Sequence, residues 1–167
     1  MALLNFLKKK KGIGSRAHMK EHHFVFVEAL FDDVVDEALR WSWSSWWPQD
    51  GCLHYDIDDG VPETGRPCRL VITTKFFKVV LKGEILQVRP RRALQFSWHS
   101  GLIQGQEFLV VEERSNGTRI DHRARYYGSN IFFSLIWALF FRKRYDACIA
   151  RALDALKFYI THRRDDE

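Results

Sequence analysis

His122 is the residue whose neighbours in the sequence look most like chemistry. It stands in the run Thr118–Tyr127, where Ile120, His122, Ala124 and Tyr126 alternate with Arg119, Asp121, Arg123 and Arg125. That period of two puts the first set on one face of a strand and the second set on the other. An imidazole titrates near neutrality, so one turned toward an apolar interior can act as a general acid or base. Tyr126 or Tyr127 is the expected partner for its proton. The alternative is a core histidine satisfied by a single hydrogen bond. His99 lies on the face opposite Trp98 and is expected in solvent.

Other polar groupings carry less. Glu84 and Lys82 share a face of an otherwise apolar strand, with Arg69 nearby. Acid/base work by the carboxylate is one reading, and a solvated charge pair of small energetic value is the other. His54 with Asp56, and His22 with His23, lack the spacing of a metal motif. There is no HExxH and no CxxC, so no metal is expected. No glycine-rich phosphate loop and no Gly-x-Ser-x-Gly elbow is read, and no cofactor is expected. Cys52, Cys68 and Cys148 are odd in number and fit no motif. Cys52 and Cys68 could meet across a hairpin. Reduced, small core residues in a cytoplasmic protein are the reading adopted.

These residues need elements to hold them. The expected strands are His22–Leu30, Cys52–Ile57, Arg69–Thr74, Phe76–Val88 with a bulge or bend at Gly83, Ala93–His99, Glu107–Arg114 and Thr118–Tyr127. Leu94, Phe96 and Trp98 share one face of the fifth. In the sixth, Phe108 and Val110 are taken as inward. Ser115-Asn116-Gly117 reads as a hairpin turn. Asp32 is read as the cap of a short amphipathic helix, Asp33–Trp41. Trp41, Trp43, Trp46 and Trp47 follow within seven residues, closed by Pro48. Such rings are expected to plug one end of a core or line a pocket mouth.

Asn130 is read as the cap of a long final helix. From Ile131 to Phe141 it is apolar on nearly every side, then Arg142, Lys143 and Arg144 interrupt, then the pattern becomes one-sided. A helix apolar all round must be covered on most sides. Strand runs with helices gathered at defined points indicate an α+β fold, with the long helix covering the sheet.

Charge separates the chain into parts. The net charge is +5, but residues 1–20 hold six basic residues (Lys8, Lys9, Lys10, Lys11, Arg16, Lys20) and no acid. The remainder is close to neutral, which argues against a nucleic-acid-binding domain. No run reaches the roughly 18 apolar residues of a membrane span. The leader, residues 1–20, carries Ala-Leu-Leu-Asn-Phe-Leu before Lys8–Lys11, the reverse of signal-peptide order. A peripheral contact with an anionic membrane surface is one reading of it, and a frayed tail the other. A single domain is expected over residues 21–163, with a tail at 164–167.

Three features in this order resemble the START-like, helix-grip superfamily (SRPBCC), which includes polyketide cyclase/dehydrase and lipid-transport proteins. They are the first strand running into Ala29-Leu-Phe-Asp-Asp-Val-Val35 and the Trp46-Trp47-Pro48 corner; Gly117-Thr-Arg-Ile120 opening the last strand; and Gly128 before a long helix with an apolar start, a basic interruption and Ala152-Leu-Asp-Ala-Leu-Lys157. The resemblance spans about residues 22–162. It implies a curved antiparallel sheet of six to seven strands around the C-terminal helix, two short helices after the first strand, and a cavity between sheet and helix. It also implies a small apolar or amphipathic ligand such as a lipid, sterol or polyketide-like molecule.

Under that reading the cavity is lined by Trp98, Phe96, Leu94, Phe108, Val110, Ala124, Tyr126, Phe133, Trp137 and Phe140, with Trp46 at one end and His122 orienting a polar group. A solid core is the alternative. Two further functions stay open: a cyclase or dehydratase using a His/Tyr proton-transfer pair, and a membrane-surface or protein-interaction module acting through the leader. Ligand is expected beneath residues 131–141 and only core beneath residues 145–160.

Overall fold

The computed structural model describes residues 19–49, 52–57, 62–75, 77–89, 91–100 and 103–163. The leader up to residue 18 and the tail at 164–167 lie outside the described residues. Seven strands form one antiparallel sheet: β1 Met19–Val27, β2 Leu53–Ile57, β3 Pro67–Thr73, β4 Lys78–Arg89, β5 Ala93–Ser100, β6 Ile103–Arg114 and β7 Gly117–Gly128. Their order across the sheet is β1-β7-β6-β5-β4-β3-β2. From β7 to β2 every pair of neighbours is consecutive in the chain, and β1 closes the far edge against β7. The sheet curls into a half-barrel gripping the C-terminal helix.

Strand β1 begins at Met19, so the last two residues of the expected leader belong to the sheet. Helix α1, Phe31–Arg40, starts earlier than expected. Leu30 occupies its cap position, and no side chain caps the helix. Asp32 and Asp33 instead sit in the first turn, where negative charge favours the helix dipole. Val34, Val35 and Ala38 turn the helix onto the core. A single 3₁₀ turn, Trp41–Trp43, follows.

The final helix is capped as its sequence predicts: Asn130 accepts a hydrogen bond from the Phe133 backbone N–H at 3.0 Å. It runs through α2, Ile131–Ile136, a π-helical turn, Trp137–Phe141, and α3, Arg142–Arg163. The wide π turn offsets the rotation that an α-helix would accumulate at four-residue spacing. Trp137, Phe141 and Tyr145 consequently all face the sheet and are buried. Beyond them Ile149, Leu153, Leu156 and Ile160 continue the buried stripe.

Coverage of the apolar first half differs from expectation. None of the six residues of α2 is buried. Ile131 is 89% exposed, Phe132 62% and Leu139 64%. Of this stretch Trp137 and Phe141 are buried, and Phe133 and Ile136 are half-buried against the core. Helix-wide apolarity at 131–141 therefore reflects one face on the core and another in the open.

The cysteines also differ from expectation. Cys52 and Cys148 form a disulfide with an S–S distance of 2.07 Å, leaving Cys68 buried and free. The bond joins the start of β2 to the inward face of α3 across 96 residues. That approach exists only once the helix lies across the sheet.

Candidate polar site beneath the C-terminal helix

The inner face of the sheet positions the candidate site. Across β4, β5, β6 and β7 one row of register partners reads Gly83, Trp98, Gly105, Tyr126. Large rings alternate with glycines. A Cβ on Gly83 would lie 2.7 Å from the Trp98 ring, and one on Gly105 would lie 2.9 Å from the Tyr126 ring. The missing side chains let both rings lie close over neighbouring strands.

Beside this row sits Glu107, fully buried on β6. Tyr55 donates its hydroxyl to Glu107 Oε2 at 2.7 Å. Tyr126 donates to Oε1, and Tyr145 on α3 donates to the same oxygen at 3.1 Å. His122 Nε2 lies 3.7 Å from Oε2 and 3.5 Å from the Tyr145 hydroxyl. Three phenols, a carboxylate and an imidazole thus converge from β2, β6, β7 and α3. Burial, followed by the Glu107 charge, pushes Tyr55 and Tyr145 well above the ordinary tyrosine range. Both therefore remain protonated donors at neutral pH.

Trp41 covers one side of the cluster. Its backbone has φ 45°, an uncommon conformation for a bulky residue. Its ring stacks on His122 at 5.6 Å with planes 6° apart. Trp47 and Trp46 pack on Trp41 at 5.0 and 6.0 Å, so three of the four expected tryptophans close this end of the core. The Trp43 side chain lies outside the described residues. Tyr126, Trp137 and Tyr145 close the other side, with centroids 5.0 to 5.8 Å apart. Among the described residues, His122 Nδ1, Trp98 Nε1, Trp137 Nε1 and Trp46 Nε1 are buried with no hydrogen-bond partner.

The expected site residues divide accordingly. Trp98, Phe96, Leu94, His122, Ala124, Tyr126, Trp137 and Trp46 are buried on the inner side. Phe133 is half-buried against the core, and Phe140 is 57% exposed. Phe108 and Val110 are on the wrong face of β6. The buried set of that strand is Ile103, Gly105, Glu107, Leu109 and Val111, and Phe108 and Val110 look outward. The strand carries apolar residues at successive positions, so hydrophobicity left its phase ambiguous. Gly105 was the available signal, because it shares the period-two set with Leu109 and Val111. Glu107 was missed for the same reason. Tyr145 falls in the stretch expected to be only core, yet its hydroxyl belongs to the polar cluster.

Beneath residues 131–141, where an open interior is expected, the described rings of Tyr126, Trp137, Phe141 and Tyr145 pack together with centroids 5.0 to 6.1 Å apart. Grooves of about 890 and 900 Å³ open elsewhere: one between α1 and the end of α3, the other by the β4–β5 turn and the second half of β6, where Phe108 and Val110 lie.

The remaining polar groups sort by face. Lys82 and Arg69 are exposed, Glu84 is half-buried on the outer side, and Arg69 pairs with Asp56 at 2.7 Å. His22 Nε2 lies 2.6 Å from Asp121 Oδ1 on the outer face, while Arg119 binds the same carboxylate at 2.7 Å. Burial works to raise the Asp121 carboxyl, but the hydrogen bonds and charges of Arg119, His22 and Arg123 outweigh it and hold it below the ordinary range. On the inner face, Glu21, His23 and Asp146 bring one ligand-type atom each within 4.8 Å of one another. Arg142 Nε already lies 2.7 Å from Glu21, so a cation is in place there. Burial pushes the Cys68 thiol up to about 12, with the Glu107 and Glu84 charges adding to it, so it is no nucleophile at neutral pH.

No protein-family model matches the sequence, and no curated protein matches it. Solved structures do match in shape. Norcoclaurine synthase from Thalictrum flavum, a point mutant in complex with a transition-state analogue, superposes with TM-score 0.64 at 17% identity. That match covers 91% of this chain and 99% of the synthase. A protein of Thermus thermophilus gives TM-score 0.62 at 14% identity, covering 88% of this chain and 99% of its own. The major latex-like protein 151 of Panax ginseng gives 0.60 at 10%, covering 85% and 97%. With the seven-stranded half-barrel and the long C-terminal helix, these likenesses show that the chain has the helix-grip fold. At such identities the likeness speaks for the fold alone.

Proposed function

We propose that this protein binds a small apolar or amphipathic molecule between the sheet and the C-terminal helix, with the ligand's polar group held at the Glu107–His122–tyrosine cluster. The observation carrying this reading is the set of unpartnered buried polar atoms around that cluster, His122 Nδ1 and the indoles of Trp98 and Trp137. Buried polar atoms without partners cost free energy, and a ligand that supplies them recovers it. Trp98, Phe96, Tyr126 and Trp137 supply the apolar surface, whose burial is worth about 25 cal/mol per Å² before ordering costs. Rings pack together there, so α2 and the π turn would move outward on entry; α2 has no fully buried residue and is held by the half-buried Phe133 and Ile136.

Native mass spectrometry of freshly purified protein tests the reading. A co-purified apolar molecule is expected, and Glu107→Gln or His122→Ala should reduce its occupancy severalfold. Unliganded protein that also fails to take up a fluorescent apolar probe would overturn it.

A second reading has its own observation. The Tyr145 hydroxyl lies 3.1 Å from Glu107 and 3.5 Å from His122, and His122 lies 3.7 Å from Glu107, the geometry of a proton-transfer relay. A cyclase or dehydratase would use it. If His122→Ala retained probe binding and abolished turnover of a polyketide-like substrate, that reading would prevail. The peripheral membrane contact read into the leader stays part of this proposal, as does a cytoplasmic location. The latter loses support from the cysteines, because a Cys52–Cys148 bond fits an oxidising compartment.

A further inference from the structure

The exposed face of the helix at residues 131–141 points away from the interior site. Ile131, Phe132, Leu135, Leu139 and Phe140 are each more than half exposed. Residues 131, 135 and 139 follow one another at four-residue spacing and form a stripe, with Phe132 and Phe140 beside it. Phe77, 57% exposed, meets Phe140 with ring centroids 6.4 Å apart, so the entry to β4 extends the patch. Lone surface hydrophobes are ordinary, but a contiguous group of six large ones marks an interaction site.

Charge identifies the occupant. Lys143 and Arg144 are exposed just beyond the stripe, and Lys78 is exposed beside Phe77. No acidic residue occurs between His122 and Tyr145, nor between Thr64 and Gly83. An apolar face with exposed Lys78, Lys143 and Arg144 next to it in the chain complements an anionic lipid surface. The apolar run is eleven residues, and no described helix is long and apolar enough to cross a membrane. The helix would lie in the interface with its apolar stripe among the acyl chains.

We propose that the Ile131–Phe141 face, with Phe77 and the Lys78, Lys143 and Arg144 cations, docks on an anionic membrane surface. This surface is built from residues other than those of the leader. Both segments that must move to admit a ligand would be the ones in contact with lipid.

Co-sedimentation of the full chain with vesicles tests this, using phosphatidylcholine alone and phosphatidylcholine with phosphatidylserine. Binding is expected only with phosphatidylserine present and should fall as salt rises. The double variant Leu135→Glu, Leu139→Glu should lose at least about tenfold in partitioning. Lys143→Gln and Arg144→Gln should each lose about fivefold. Melting temperature should be unchanged in all of them, because these side chains are exposed. Replacing Lys8–Lys11 by glutamine separates the leader's contribution. Three results would overturn the proposal: no binding by the unaltered chain, equal binding by the double-glutamate variant, or loss only on leader substitution. A dimer in sedimentation that the double-glutamate variant dissociates, without vesicle binding, would assign the face to a second copy of the chain instead.

Discussion

At the scale of single residues, Glu107 and Asp121 show how the same side-chain chemistry serves two purposes on opposite faces of the sheet. Glu107 gathers three hydroxyls in the interior. Asp121 gathers His22, Arg119 and Arg123 on the outer face. The Asp121 carboxyl is held below its ordinary value in the folded chain, so its ionised form favours folding. The sign follows: its contribution is complete above the unfolded carboxylate value of about 3.9 and disappears as pH falls through the lower folded value. Asp121→Asn should therefore lower the melting temperature at neutral pH, and the gap to the unaltered chain should close as the pH is taken below the folded value. A gap independent of pH would show that Asp121 contributes packing rather than charge. Glu107 itself was not legible in the sequence. Phe108 and Val110 beside it are as apolar as Leu109 and Val111, so either phase of β6 satisfied hydrophobicity.

At the scale of elements, the π turn and the disulfide fix how the final helix meets the sheet. The π turn keeps Trp137 and Phe141 in register with Tyr145. The Cys52–Cys148 bond then ties the same helix to β2, at the sheet edge remote from β1. Closing so long a loop restricts the unfolded chain, so Cys52→Ser with Cys148→Ser should cost about 2–4 kcal/mol in denaturant unfolding. Dithiothreitol should reproduce that loss in the unaltered chain and leave the variant unaffected. The helix start at Asn130, the β6–β7 turn and the alternation of β5 were readable, because each depends on neighbours in the chain. The disulfide was not, because its partners meet only through the tertiary fold.

At the scale of the whole molecule, stability is unevenly distributed. The β6–β7 pair lies inside the sheet with a neighbour on either side, whereas α2 is open to solvent on most sides. Backbone amides of residues 131–136 should exchange with deuterium well before those of β6 and β7, as mass spectrometry would record. Uptake of an apolar probe should slow exchange around Trp137 and Tyr145 if the interior is the binding site. Exchange in α2 as slow as in β7 would argue against its role as the entrance. The same segment is where the proposed membrane contact lies, so the least secured part of the helix is also the part offered to a partner.

The sequence by itself determined the α+β class, the long capped helix, most strand positions and the inward facing of His122 and Tyr126, since periodicity and capping act between residues close along the chain. It also supported the likeness to the helix-grip superfamily, through features arranged in a particular order. Tertiary structure decided which face of β6 is inner, that Glu107 collects Tyr55, Tyr126 and Tyr145, that Cys52 reaches Cys148, and that half of the apolar helix start remains uncovered. Those outcomes depend on how a curved sheet wraps a helix, and burial of this kind is a property of the assembled layers rather than of any segment.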